Sequence, residues 1–322
     1  MRSSRRAFVA TPLLVLAILG CPPPVKTTPP PAGASAKEVA LAGASVLIGV
    51  GDIAACDSRG DEQTAAIVDS VLKADSAAKV EDAVFTLGDN AYPVGSVRNF
   101  TECFTPSWGD KTKRIMKKIH PLPGNHEHET DMAAPYYLYF GDLAGSPKKG
   151  YYSYDIGEWH VVVLNSAIVV DPAFGQSDRQ AQYDWLRDDL KNKSKPCTMA
   201  MWHHPRFSSG YHGNNASLGE FWNILYSGDA DLILAGHDHE YERFAPLTPA
   251  GVVDTLKGVI SYVVGTGGGE LRGFRSSLAA HSLARIEGHF GVLKLTLGKG
   301  EFRAAFIDTQ GRLWDSSGGK CH

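Results

Sequence analysis

The sequence predicts one α/β domain built on two sheets. Three observations carry this. Short apolar runs recur along the chain, and their lengths suit buried strands rather than helices. Amphipathic stretches of ten to sixteen residues alternate with several of them. The runs then stop, one after another, at Gly-Asp, Gly-Asn-His or His-containing turns. Open α/β sheets build their sites at the carboxyl ends of strands, so the placement of these polar residues is itself a fold signal.

Taken in order, residues 45–50 (SVLIGV) form a buried strand that ends at Gly51-Asp52. Residues 61–76 carry Ala65, Ile67, Val68, Val71 and Leu72 among polar residues, which suits a helix. A second strand over 83–87 ends at Gly88-Asp89, a helix is expected over 108–118, and a short strand over 120–122 ends at Gly124-Asn125-His126. Residues 151–156 and 159–164 flank Gly157-Glu158 as a hairpin. Ser177 is the expected N-cap of a helix reaching about residue 192, with Tyr183, Trp185, Leu186 and Leu190 inward. Strands over 198–202 and 232–235 end at His203 and at Gly236-His237, with a helix over 218–227 between them. Further strands fall near 259–264, 290–297 and 301–308. No internal repeat and no second linker interrupts this pattern.

Composition fixes the class. The chain has 322 residues, 43% apolar and 21% charged, which excludes a disordered polymer and supplies a full core. Formal net charge is −3, so nothing electrostatic favours a nucleic-acid partner. Residues 1–20 read as an export signal: Arg2, Arg5 and Arg6 precede an apolar run over 12–19 that is shorter than the roughly 20 residues a membrane span needs. Ser4-Arg5-Arg6-Ala7-Phe8-Val9 resembles a twin-arginine signal, and Ile18-Leu19-Gly20-Cys21 resembles a lipobox with Cys21 as the lipidated residue. Residues 21–40 are a tether, with six prolines between 22 and 37. The catalytic domain is then 41–322, exported to a bacterial cell envelope by a lipid anchor or secreted, and touching membrane only through that anchor. Cys56, Cys103, Cys197 and Cys321 allow three pairings in an oxidising compartment. Cys56 with Cys103 would join two loops near the expected site, leaving Cys197 with Cys321.

The five strand-end motifs are Gly51-Asp52, Gly88-Asp89, Gly124-Asn125-His126, His203-His204-Pro205 and Gly236-His237-Asp238-His239. Any one is weak alone, because a lone Asp at a strand end is more often a cap and a lone Asn a turn residue. Together and in this order they resemble the calcineurin-like metallophosphoesterases, over roughly residues 45–270. The first motif, Asp52-Ile53-Ala54, lacks the histidine common in that superfamily, and Gly88-Asp89-Asn90-Ala91-Tyr92 supplies a tyrosine instead. Gly-Asp-x-x-Tyr is the mark of the purple acid phosphatase branch. The chain departs from that branch at Ala54, where its pattern has glycine.

The resemblance implies a four-layer α-β-β-α sandwich of two mixed sheets with helices outside and a dinuclear metal site at the strand ends. One ion, iron(III), would be held by Asp52, Tyr92 and His239; the other, iron, zinc or manganese, by Asn125, His203 and His237; Asp89 would bridge them. Hard anionic donors suit iron(III), and imidazole with an amide oxygen suits a divalent ion. His126 and His212, the latter nine residues after His203, are implied contacts to the phosphate or acids for the leaving oxygen. His204 receives no role, and Glu127-His128-Glu129 is read as a solvated segment. The Gly265–Glu270 run is read as a loop beside the metals, not a nucleotide cradle. The implied activity is acid hydrolysis of a small phosphomonoester by a metal-activated hydroxide. The alternatives are a phosphodiesterase or nucleotidase on the same site, or a surface-anchored binding protein.

Overall fold

The computed structural model describes Leu41 and residues 43–322; the export signal, the tether and Cys21 lie outside the described residues. One sheet orders six strands as Leu313–Lys320, Glu301–Asp308, Gly291–Gly298, Ser45–Val50, Asp82–Thr86 and Ile119–His120. The second orders seven as Ser282–Ile286, Tyr241–Phe244, Ile260–Val264, Leu232–Ala235, Cys197–Met201, Trp159–Val163 and Tyr152–Ile156. Both are mixed. Parallel pairs join Ser45–Val50, Asp82–Thr86 and Ile119–His120 in the first sheet, and Trp159–Val163, Cys197–Met201, Leu232–Ala235 and Ile260–Val264 in the second.

The apolar runs explain this placement. All six residues of Ser45–Val50 are buried, which requires cover on both faces of the strand. Leu47, Phe85, Leu293 and Phe306 of one sheet share a core with Met199, Met201, Leu234 and Tyr262 of the other. Helix Gly60–Ala78 lies outside the first sheet through Ala65, Val68 and Leu72. Helices Gln176–Asn192 and Gly219–Ser227 cover the outer face of the second, where Leu186, Leu190, Phe221 and Trp222 meet Ala200, Trp202 and Ile233. The result is helix, sheet, sheet, helix. No helix among the described residues is long and apolar enough to cross a membrane.

Three expectations change. Residues 108–118 are turns with a single 3-10 turn, Ile115–Lys117. Asp110 there accepts from the backbone N–H of Thr112, a local bond that competes with a helix. Helix Gln176–Asn192 is capped at Gly175, whose N–H donates to Asp178, and not at Ser177. Strands Tyr241–Phe244, Ser282–Ile286 and Leu313–Lys320 were not anticipated.

Two disulfides join Cys56 to Cys103 and Cys197 to Cys321. A second tie lies at the edge of the second sheet. His160 bonds Asp155 through Nδ1 at 2.8 Å and Asp189 of helix Gln176–Asn192 through Nε2 at 2.8 Å. Burial opposes a charge on this ring, but the two carboxylates outweigh it and raise its pKa. A raised imidazole pKa stabilises the fold fully below the unfolded value near 6.5, and that contribution fades as pH rises through the folded value. His160→Ala is therefore expected to cost about 1–2 kcal/mol at pH 5.5, discounted for the half-exposed Asp155, and less at pH 8.5. Urea unfolding at the two pH values measures this; an equal cost at both would contradict it.

Candidate metal centre

The loops after Ser45–Val50 and Asp82–Thr86 run side by side beyond the sheet. Asp52 N–H donates to Gly88 O, Ile53 N–H to Asp89 O and Tyr92 N–H to Ala54 O. Ala54 pairs with Ala91 in this extension and is fully buried, so its methyl packs rather than obstructs a turn. Three residues at the strand ends adopt left-handed backbone: Asp52 (φ 60°), Asp89 (φ 48°) and His237 (φ 70°). Such conformations each cost about 1–3 kcal/mol and persist where surroundings over-determine them. Gly88 (φ 84°) is required as glycine for a second reason, since a Cβ there would lie 2.6 Å from His203 Nδ1.

These loops bring the seven expected donors into two knots. In the first, Tyr92 Oη lies 3.1 Å from Asp52 Oδ1, 3.1 Å from His239 Nε2 and 3.3 Å from Asp89 Oδ2, with His239 Nε2 3.3 Å from Asp52 Oδ1. In the second, His203 Nε2 lies 3.1 Å from Asn125 Oδ1, 3.2 Å from His237 Nδ1 and 3.2 Å from Asp89 Oδ2. Asp89 Oδ2 belongs to both. Donor separations near 3 Å are the edges of a coordination shell with bonds of about 2.0–2.2 Å, so the residues fit two cations sharing one carboxylate. The opposite ring nitrogens are held by carbonyls: His203 Nδ1 by Leu87 O at 2.7 Å and His239 Nδ1 by Glu270 O. That arrangement aims each Nε2 into its knot, as metal-binding histidines require.

The charges are mutually dependent. Burial alone would raise the Asp89 carboxyl, but the His203 imidazole beside it, with His126, holds it far below the usual range. Burial lowers His203, yet the Asp89 charge carries it above its ordinary value. Burial and the neighbouring imidazoles of His204, His203 and His212 keep His237 neutral, with its lone pair available. Tyr92 is raised by burial and by Asp52 and Asp89, so its phenol keeps its proton until a cation displaces it.

His126 stands over the Tyr92 ring, centroids 4.7 Å apart, with Nδ1 on Pro93 O and Nε2 3.8 Å from Asp89 Oδ2. His212 stacks on His237 at 4.0 Å and 25°. The two therefore flank opposite knots. The Gly265–Glu270 loop runs beside the first knot, with Gly269 N–H on Asp52 O at 2.9 Å.

Four residues were misread or passed over. Glu127 is not solvated but fully buried, accepting Asn90 N–H at 2.8 Å, Ala91 N–H at 3.2 Å and Gly124 N–H at 2.8 Å. Burial, with the Asp89 charge, pushes its carboxyl up to about 7. His128 beside it is also buried, against Phe174. His204, given no role, lies beside the second knot: a ring nitrogen lies within 4.8 Å of donor atoms of His203 and His237, and its Nδ1 bonds Ser166 Oγ at 2.9 Å. Asp238, between the two histidines of its motif, is fully buried and bonds His212. No sequence signal marks these burials; only the neighbouring motifs hinted at the region.

The profile of the family described as "Calcineurin-like phosphoesterase" matches residues 46–241. Purple acid phosphatase 23 of Arabidopsis thaliana is 26% identical over 168 residues, 48% of this chain and 35% of that protein. Acid phosphatase type 7 of Homo sapiens is 24% identical over 200 residues, 55% of this chain and 44% of that one. The chain thus spans less than half the length of these curated relatives. Among solved structures, the purple acid phosphatase PPD1 from yellow lupin seeds superposes with a TM-score of 0.69 at 18% identity, covering 86% of this chain and 54% of that one. GAP50, described as the anchor in the inner membrane complex of Plasmodium, superposes at 0.67 with 13% identity, so the fold by itself does not fix the activity.

Proposed function

The chain belongs to the calcineurin-like phosphoesterases, and from that premise we propose that it hydrolyses small phosphomonoesters at a pair of cations. The observation that carries this reading is Asp89 Oδ2, within 3.3 Å of Tyr92 Oη and 3.2 Å of His203 Nε2 at once. Asp52, Tyr92 and His239 would hold iron(III), and Asn125, His203 and His237 a second iron, zinc or manganese, with Asp89 between. When bound, the cations supply an acidified water and screen the phosphoryl charge.

The chain's own residues do the rest. Asp89 fixes the spacing of the two knots, and its Oδ1 takes the His126 N–H at 2.9 Å, locking the third motif to the second. His126 and His212, on either side, receive the phosphoryl group and stabilise charge on it and on the leaving oxygen. Carbonyls on His203 and His239 keep the donor nitrogens aimed.

The test is elemental analysis and kinetics on protein purified without chelator. Two cations per chain, faster turnover of p-nitrophenyl phosphate than of bis(p-nitrophenyl) phosphate, and a visible band lost in Tyr92→Phe are expected. Asn125→Ala should lower turnover by about 10²-fold. Metal-free protein, or an unchanged rate in Asn125→Ala, would refute the proposal. A preference for the diester would move the assignment to a phosphodiesterase on the same residues.

A further inference from the structure

We propose that Asp238 is a positioning residue: it fixes the ring of His212 so that Nε2 faces the leaving oxygen of the ester. This rests on the phosphoesterase reading above. His212 lies in a segment (SSGYHGNN) with no regular structure and a composition that would otherwise let it wander. It is nevertheless held at two points by one atom. Asp238 Oδ1 accepts the backbone N–H of His212 at 2.8 Å and its ring Nδ1 at 2.8 Å. The other oxygen, Oδ2, accepts Ser208 Oγ–H, and Ser208 Oγ accepts the N–H of Gly210 at 2.9 Å. Ser208 N–H donates to Asn214 Oδ1 at 2.9 Å, closing the loop on both sides of His212.

Asp238 sits between His237 and His239, one in each donor knot. Its carboxylate points the other way, into the loop. A single turn thus ties the cation donors to the proposed acid. With Nδ1 committed to a carboxylate, that nitrogen carries a proton and Nε2 is the one left for chemistry. Among the described residues Nε2 of His212 has no hydrogen-bond partner, and the ring lies flat against His237. In the step this serves, His212 acts with both ring nitrogens protonated: Nδ1–H stays on Asp238 while Nε2–H gives its proton to the ester oxygen as the P–O bond breaks and that bond's electron pair stays on oxygen. The attacking water contributes the new P–O bond, and its released proton restores Nε2–H. The carboxylate–imidazole pair matches the general logic of a proton-transferring ring held in one orientation by a buried partner.

Asp238→Asn, His212→Ala and the double variant test this on glycerol 2-phosphate, whose leaving alkoxide needs a proton, and on p-nitrophenyl phosphate, whose phenolate needs one less. Asp238→Asn is expected to lower kcat on glycerol 2-phosphate by about 10²-fold and on p-nitrophenyl phosphate by under tenfold, with cation content unchanged. The double variant should be no slower than His212→Ala, because both changes remove one device. Independently of activity, the His212 Nδ1–H resonance in zinc-loaded, 15N-histidine-labelled protein should exchange slowly and vanish in Asp238→Asn. Multiplicative losses in the double variant, equal losses on both esters, loss of cations, or an unmoved Nδ1–H would overturn the assignment. If the parent protein hydrolyses neither ester, the phosphoesterase reading fails, and the resonance still decides whether Asp238 holds His212.

Discussion

Asp89→Ala is expected to cut phosphomonoester turnover by about 10³-fold or more and to lower cation content below two per chain. Asp89 Oδ2 lies in both knots, whereas Asp52 reaches the second only through the backbone N–H of His237. Tyr92 Oη and His203 Nε2 both lie within 3.3 Å of Asp89 Oδ2, and Oδ1 accepts the backbone N–H of His126. Alanine removes all three contacts and leaves the buried imidazole of His203 without the carboxylate that favours its charge. Asp89→Asn separates these roles. It keeps an oxygen for the His126 N–H but removes the negative charge shared by two cations. It should bind cations almost as poorly as alanine while keeping more of the fold's stability. Elemental analysis, phosphate release and chemical unfolding read the three effects. An Asp89→Ala protein with two tightly held cations would contradict the shared-carboxylate geometry.

The second large effect is expected away from the donors. Glu127→Ala should destabilise the protein by about 4 kcal/mol and weaken cation binding, although Glu127 is in neither knot. Among the described residues its carboxylate is the acceptor for the N–H groups of Asn90, Ala91 and Gly124 alike. These three amides belong to the two loops that carry Asp89 and Asn125. Each buried donor left unpaired costs about 1–3 kcal/mol. Glu127→Gln should recover only part of the loss, because its amide N–H₂ would face one of those donors. Guanidinium unfolding checks the size; a loss under about 1 kcal/mol would show that water replaces the carboxylate without penalty.

The sequence made the donors legible and hid their supports, for a physical reason. A donor at a strand end leaves a local mark: an apolar run, a glycine, then a short polar group. Asp52, Asp89, Asn125 and His237 all carry it, and His203 carries it without the glycine. Glu127, His204 and Asp238 carry no such mark, because what buries them comes from elsewhere in the chain. Glu127 is enclosed by the 88–92 loop, and Asp238 by the 208–214 loop. Letter by letter both look like solvated turn residues. The same contrast holds for the fold. Buried runs such as Leu232–Ala235 read plainly as strands, while the edge strands Ser282–Ile286 and Leu313–Lys320 are partly exposed and polar, so their periodicity is faint. The lysine-rich stretch at 111–118 shows the opposite error, in which good helix formers lose to turn chemistry set by Asp110.

Left-handed backbone at Asp52, Asp89 and His237 has a bearing on how this protein could change over time. Glycine is at ease in that conformation, and these three side chains are not. Any selection that rewards heat resistance alone would therefore pull those positions toward glycine and strip the cage of its ligands. Durability and the proposed catalysis compete at the same three residues, so a hardier descendant of this protein must find its gains elsewhere in the sandwich.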